Sequence, residues 1–446
     1  MRLKSKLQIL SAMVFMLVFV VSSSMVFAAD PNTWTAKAPM NTARYDHEAV
    51  VLNGQIYVVG GYASSTLNSV EKYDPVTDTW TTKTPMTYTK YANQVVVVDG
   101  KIYTIGGLGD VSACMKSLEE YNPTTDTWIT KASMTTSRGY FGAAVVNGKI
   151  YAMGGSGVKS LEEYNPANNI WVTKAPMSVD RMQFKVAEVN GKIYAIGGKS
   201  SSVYLNSVEE YDPATDTWTP KAPMNIGRAN FEMAQINGKI YVMAGTNTSN
   251  TEVSGSVEEY DPATNTWTTK ASMPTPIAGK AVTLNGKIYM VGANSTKTVE
   301  EYDPATDKWT YDAPMATSRN SHRVVALNGK LYAIGGSSAG NVLKSVEEYT
   351  PTNTGDPGDD GTENPPVITG NSAILEITMV NGVIKEYDLN AAELDSFLTW
   401  YDNSSSGSAP AYYIINKKNN IKPFLSRKEY IAYSKIASFE VKEYAE

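Results

Sequence analysis

A seven-fold internal repeat constrains this chain more than any other feature. A dipeptide recurs as Gly60-Gly61, Gly106-Gly107, Gly154-Gly155, Gly197-Gly198, Ala244-Gly245, Gly292-Ala293 and Gly335-Gly336. A tryptophan keeps the same rhythm at Trp34, Trp80, Trp128, Trp171, Trp218, Trp267 and Trp309, with spacings of about 42 to 49 residues. Periods of that length belong to propellers and solenoids, whose units bury their faces only by packing on one another. A residue that recurs in every unit is expected to be scaffold, so function is sought where the units differ.

Each unit reads as an apolar run, Asn-Gly, Lys-Ile-Tyr-x-x-Gly-Gly, a variable loop, Ser-Val-Glu-Glu-Tyr and Asp-Pro-x-Thr-Asp-x-Trp. The apolar runs, such as Ala49 to Leu52, are short and valine-rich, which favours strand over helix. Asn53-Gly54, Asp99-Gly100, Asn147-Gly148, Asn190-Gly191, Asn237-Gly238, Asn285-Gly286 and Asn328-Gly329 each separate two such runs. These dipeptides tolerate positive φ at both central turn positions and close tight hairpins. Asp-Pro-x-Thr-Asp supplies a second turn, because proline presets φ and aspartate bonds its own backbone. The unit is therefore a four-stranded antiparallel meander, a to d, and radial packing of such sheets is an all-β propeller.

Gly-Gly, a Glu-x-Tyr strand and a following tryptophan, in register over about residues 30 to 351, resemble the kelch repeat. The resemblance implies a seven-bladed kelch β-propeller, with Tyr57, Tyr103, Tyr151, Tyr194, Tyr241, Tyr289 and Tyr332 and the tryptophans packed between blades. Blades five and six depart at the Gly-Gly pair. The repeat is circularly permuted: Trp34 precedes any Gly-Gly, while Glu347-Glu348-Tyr349 has no tryptophan after it. Residues 33–37 are therefore predicted to form strand d of blade seven, closing the ring and removing its exposed edges.

The chain begins like a secretory signal: Arg2, Lys4 and Lys6, an apolar stretch from Leu7 to Val21, then small residues before Ala28-Ala29. Domain boundaries are expected at 1–28 for a signal peptide, 29–351 for the propeller, 352–370 for a Pro/Gly/Asp linker and 371–446 for a small α+β C-terminal module. Removing the leader shifts the formal charge from −6 to −9. That acidity speaks against nucleic acid as a partner, and no transmembrane span is expected in the mature chain. Cys114 is the only cysteine, so no intrachain disulfide framework exists. In the linker, Asp356, Asp359, Asp360 and Glu363 lack the ligand spacing of a calcium loop. In the module, Leu394, Phe397, Leu398 and Tyr401 fall at helical spacing among aromatic strands. It resembles modules appended to secreted Gram-positive bacterial proteins, which suggests cell-wall or surface attachment.

Strand order assigns the short, uniform a–b and c–d turns to one propeller face and the variable b–c loops to the other, with the d–a connections. Variable loops on a rigid ring are the usual seat of recognition. The same face is expected to bear a basic ring, Arg44, Lys90, Arg138, Arg181, Arg228 and Arg319, with Pro276 in blade six. Cations gathered round an axis would favour a carboxylate or sulfate. Tyr45, Tyr91 and Tyr140 lie beside them, suited to stacking on sugar or peptide. His47 and His322 share one offset, filled elsewhere by Asn93, Phe141, Phe184, Phe231 and Gly279. A metal pair is conceivable there, but a repeated strand position is the preferred reading. The Glu-Glu-Tyr carboxylates are read as a solvated strand face.

The function expected from these features is a secreted, extracellular or surface-bound binding or adhesion scaffold for a protein or anionic glycan, without cofactor or metal. The alternative is a carbohydrate-active enzyme, since kelch propellers include galactose oxidase and a sialic acid mutarotase. Galactose oxidase uses copper with two tyrosines, two histidines and a cysteine-crosslinked tyrosine, and no such motif falls in a matching place here.

Overall fold

The computed structural model describes residues 32–351, apart from 111, 248–254, 277, 278, 294 and 295. Beyond these it describes 372–379, 384–390, 393, 394, 396, 397, 401, 412–416, 428–432 and 436–444. The segments expected to be a signal peptide and a linker, with the acidic residues of the latter, lie outside this set. Seven four-stranded antiparallel sheets form the blades, each ordered a-b-c-d. In blade one, strand a is Glu48–Leu52, b is Gln55–Val59, c is Val70–Asp74 and d is Thr79–Lys83. The Asn-Gly turns behave as the sequence implies: Asn53 and Gly54 have φ of 51° and 71°.

Blade seven takes strands a to c from Arg323–Leu327, Lys330–Ile334 and Val346–Thr350, and strand d from Thr33–Lys37. The N-terminal strand pairs Trp34 with Tyr349 and Lys37 with Val346, as the permuted repeat predicts.

Tryptophan joins each blade to the one before it. Trp80 Nε1 donates to Ala38 O at 2.7 Å, and Trp128 and Trp171 repeat the bond to Thr84 O and Ala132 O. Trp218, Trp267 and Trp309 reach Ala175 O, Ala222 O and Ala271 O. Trp34 completes the circle on Ala313 O at 2.9 Å and stacks on Tyr349 at 5.1 Å. A methionine at the start of each d–a segment, from Met40 to Met315, is at most 4% exposed and plugs the gap between sheets.

The chain divides into two units, Met1–Thr352 and Asn353–Glu446. In the second, Ser372–Met379 pairs with Ile384–Asn390 and with Ile436–Tyr444, and Tyr412–Asn416 pairs with Lys428–Ala432. Leu375, Ile377, Leu394 and Phe397 are buried there. Among the described residues, no helix is long and apolar enough to cross a membrane.

Candidate functional site: the axial mouth of the propeller

The d–a segments converge on the propeller axis, and what they place there differs from the expected basic ring. Arg44, Arg138, Arg181 and Arg319 are 0% exposed and Arg228 is 1% exposed. Each guanidinium is consumed inside its own blade. Arg138 Nη1 donates to Gly154 O at 2.7 Å and Ser160 O at 3.0 Å, while Nη2 reaches Ser160 Oγ at 2.8 Å and Glu162 Oε1 at 2.9 Å. Arg44, Arg181, Arg228 and Arg319 repeat that pattern on Glu71, Glu209, Glu258 and Glu347. Lys90 takes the place in blade two, 2.9 Å from Glu119. These six cations hold the b–c and d–a segments together and present no charge to solvent. Burial lowers the arginine pKa values, and the facing glutamates oppose that shift.

The Glu-Glu-Tyr carboxylates are likewise internal rather than solvated. In every blade but the sixth, the first carboxylate of this strand meets the buried cation. The second accepts the hydroxyl of the strand b tyrosine, as Tyr103 Oη does to Glu120 at 2.6 Å and Tyr151 Oη to Glu163 at 2.7 Å. The strand period misled here, because a glutamate facing a neighbouring blade alternates just as an exposed one does.

The histidines sit at separate blade seams. His322 packs over Gly292 of blade six and His47 over Gly335 of blade seven, where each Cε1 lies 3.0–3.2 Å from the position a Cβ would take. Phe184 and Phe231 fill the same position over Gly154 and Gly197, so the repeated-position reading describes the geometry. The histidine ring nitrogens are buried without hydrogen-bond partners. Burial, reinforced by Lys280, Arg319 and Arg323, pushes His322 down to about 3. A histidine held neutral in the fold but protonated when unfolded contributes stability that is intact above its unfolded pKa near 6.5 and is lost as pH falls. His322→Phe should therefore lose less stability than the parent between neutral pH and about pH 4.5, measured by urea denaturation. Equal losses would refute a neutral buried imidazole.

A second ring, absent from the sequence expectations, forms the mouth. The residue opening strand a is Glu48, Gln94, Gly142, Lys185, Glu232, Lys280 and Arg323 in successive blades. It stands four positions after the buried cation, or after Pro276 in blade six, and its chemistry changes from blade to blade. That variation was the available signal. All but Gly142 line an axial cavity of about 370 Å³, roofed by Asp46, Tyr140, Gln183, Asn230 and Ser321. The roofing residues share a left-handed backbone, φ 49–56°, and bond round the circle: Asp46 N to Ser321 O, Gln183 N to Tyr140 O and Asn230 N to Gln183 O, at 3.0–3.1 Å.

Charge in the ring is uneven. Arg323 Nε donates to Glu48 Oε2 at 3.0 Å, and Glu48 raises the arginine's pKa against its burial. Glu232 lies between Lys185 at 3.1 Å and Lys280 at 2.8 Å. Burial opposes its charge, but the two lysines prevail and hold it down at about 2. The blade four to six side thus sets two ammonium groups against one carboxylate, while Gln94 and Gly142 leave an uncharged sector opposite.

Beside that sector two of the three expected tyrosines, Tyr45 and Tyr91, are joined by Tyr62. Tyr45 and Tyr62 have ring centroids 5.5 Å apart, and Tyr62 and Tyr91 are 5.8 Å apart. Tyr91 Oη shares a hydrogen with Ser112 Oγ at 3.0 Å. Tyr140 is 42% exposed at the cavity rim. The close approach of loop to ring is why blade two needs its second glycine: a Cβ on Gly107, at φ 96°, would lie 2.7 Å from Asn93 Cβ. Cys114 is exposed on the b–c loop of blade two.

Comparison with known proteins agrees with this architecture. The Kelch motif model matches residues 43–87, 91–135 and 137–178, and the KLHDC2/KLHL20/DRC7 Kelch-repeats domain model matches 164–336. The chain belongs to the kelch-repeat β-propeller family. It is 33% identical over 72 residues to an uncharacterized protein of Clostridium acetobutylicum, covering 16% of this chain and 18% of that one. It is 49% identical over 49 residues to Kelch-like protein 23 of Mus musculus, covering 10% and 9%. These matches therefore span less than a fifth of either relative. Among solved structures, a fungal alcohol oxidase of the AA5 family in complex with copper superposes with a TM-score of 0.62 at 16% identity, over 90% of this chain and 99% of that one. That likeness is one of fold.

Proposed function

We propose that this protein is a binding propeller that holds a protein or anionic glycan ligand at the axial mouth, against the tyrosines of blades one to three. The observation behind this reading is the ring Glu48–Gln94–Gly142–Lys185–Glu232–Lys280–Arg323, a chemically variable position of the repeat that surrounds a cavity. The lysine surplus around Glu232 favours a carboxylate or sulfate, and the tyrosine crescent offers flat faces to a sugar ring or peptide side chain. In this reading the secretory pattern of residues 1–28 supports binding outside the cell, and residues 371–446 would attach the propeller to a wall or surface.

The test is a glycan and secreted-protein array probed with the parent and with Tyr91→Ala/Tyr140→Ala. Loss of two stacking rings should weaken the strongest signals by about tenfold or more with little change in melting temperature. Binding unaffected by the double variant would overturn the assignment. Turnover of a bound sugar would instead favour the carbohydrate-active enzyme.

A further inference from the structure

Blade six keeps one half of a buried ion pair and lacks the other. Five blades place an arginine between the b–c and d–a segments and blade two a lysine, but the corresponding residue of blade six is Pro276. Its carboxylate partner survives as Glu300, 0% exposed. Glu300 Oε1 accepts the Thr275 amide at 2.9 Å, whereas Oε2 is buried with no hydrogen-bond partner. Thr298 stands where the other blades carry Ser69, Ser117, Ser160, Ser207, Ser256 and Ser345, so the hydroxyl that receives the guanidinium elsewhere is also retained. A buried carboxylate oxygen without a partner is costly, and burial accordingly raises the Glu300 pKa.

We propose that Glu300 and Thr298, beneath Pro276, form a socket that binds a guanidinium group supplied from outside the blade. The chemistry is set by the five sister sites, in which one carboxylate and one serine receive one planar cation. In blade five, Arg228 Nη2 meets Ser256 Oγ and Glu258 Oε1, both at 2.8 Å. A fork of parallel N–H donors matches such an arrangement better than a point charge does. A single carboxylate with neutral oxygens is too poor in ligands and charge for calcium. The covering is thin: Pro276 is exposed and Thr275 and Thr298 are part-buried. Strands b and c of this blade already pair Ala293 with Thr296, leaving a shorter b–c connection than the loops of most other blades. Glu300 and Thr298 do not line the axial cavity, so this proposal stands or falls independently of the proposed function.

The experiment is a thermal-shift titration of the full chain with millimolar methylguanidinium chloride, against sodium chloride at equal ionic strength and urea at equal concentration. The parent should gain about 2–4 °C near saturation, with no gain from either control. Glu300→Gln should abolish the response. Pro276→Arg, which supplies the guanidinium internally, should melt higher than the parent and respond no further. A short arginine-containing peptide run in parallel identifies the source: action at lower concentration than methylguanidinium assigns the socket to a partner's side chain, and equal or weaker action assigns it to a free cation. No selective shift in the parent, or a shift that persists in both variants, overturns the proposal.

Discussion

Deleting residues 29–38 should cost the propeller its cooperative melting transition. Those residues include strand d of blade seven, whose whole length pairs with Val346–Thr350. They also include Trp34, which closes the circle of indole bonds on Ala313. Without them the edge of strand c lies open, and the tyrosines of blades six and seven lose the ring stacked on Tyr349. Trp34→Ala is the milder form. Truncating a large packed aromatic costs about 3–5 kcal/mol, and the partial exposure of Trp34 places it toward the lower end. Calorimetry should show a clear fall in melting temperature for the point variant and a broad, shifted or absent transition for the deletion. A deletion that melts with the parent would mean that the ring closes without its N-terminal strand.

Arg138→Ala and Arg181→Ala should each destabilise the fold by about 3–5 kcal/mol, the cost of stranding a buried charge by removing its partner. Glu162 and Glu209 would lose their only cation and keep just neutral donors, from Thr135, Thr136 and Ser178, while the carbonyls of Gly154 and Gly197 and the serines Ser160 and Ser207 would lose the guanidinium as well. Pairing Arg138→Met with Glu162→Leu should recover part of the loss, because removing both charges also removes the desolvation that each imposes. Chemical denaturation of the single and paired variants measures this directly. Wild-type stability in Arg138→Ala would require the guanidinium to be solvated.

These two results bear on what a sequence of this kind reveals. Periodicity located every blade and the permuted closure at Trp34, because each follows from local turn chemistry and a fixed repeat, and the kelch resemblance implied the packing of tyrosine and tryptophan between sheets. It also placed Arg44, Lys90, Arg138, Arg181, Arg228 and Arg319 on the correct segment of each blade. It misjudged their direction. A cation in a polar connecting segment looks exposed until its partner is known, and the partner glutamates lie 24 to 30 residues away. The axial ring was overlooked for the opposite reason: Glu48, Lys185, Lys280 and Arg323 follow no motif, and only closure of the sheet brings residues of successive blades to one cavity. Tyr45, Tyr91 and Tyr140 stand out in the sequence because neighbouring blades carry tyrosine near the same offset. Tyr62, which joins them, sits on a variable b–c loop that no pattern marks.

The central claim is a division of labour: the recurring cations hold the blades, and the non-recurring residues at the mouth bind. One paired measurement tests it most directly, namely melting temperature and affinity for the strongest array ligand, taken together on Arg181→Ala and Tyr140→Ala. The account predicts that Arg181→Ala lowers the melting temperature, while the fraction still folded binds with nearly parental affinity. It predicts the reverse for Tyr140→Ala: parental melting and weakened binding. An Arg181→Ala protein that melts normally but no longer binds would contradict it.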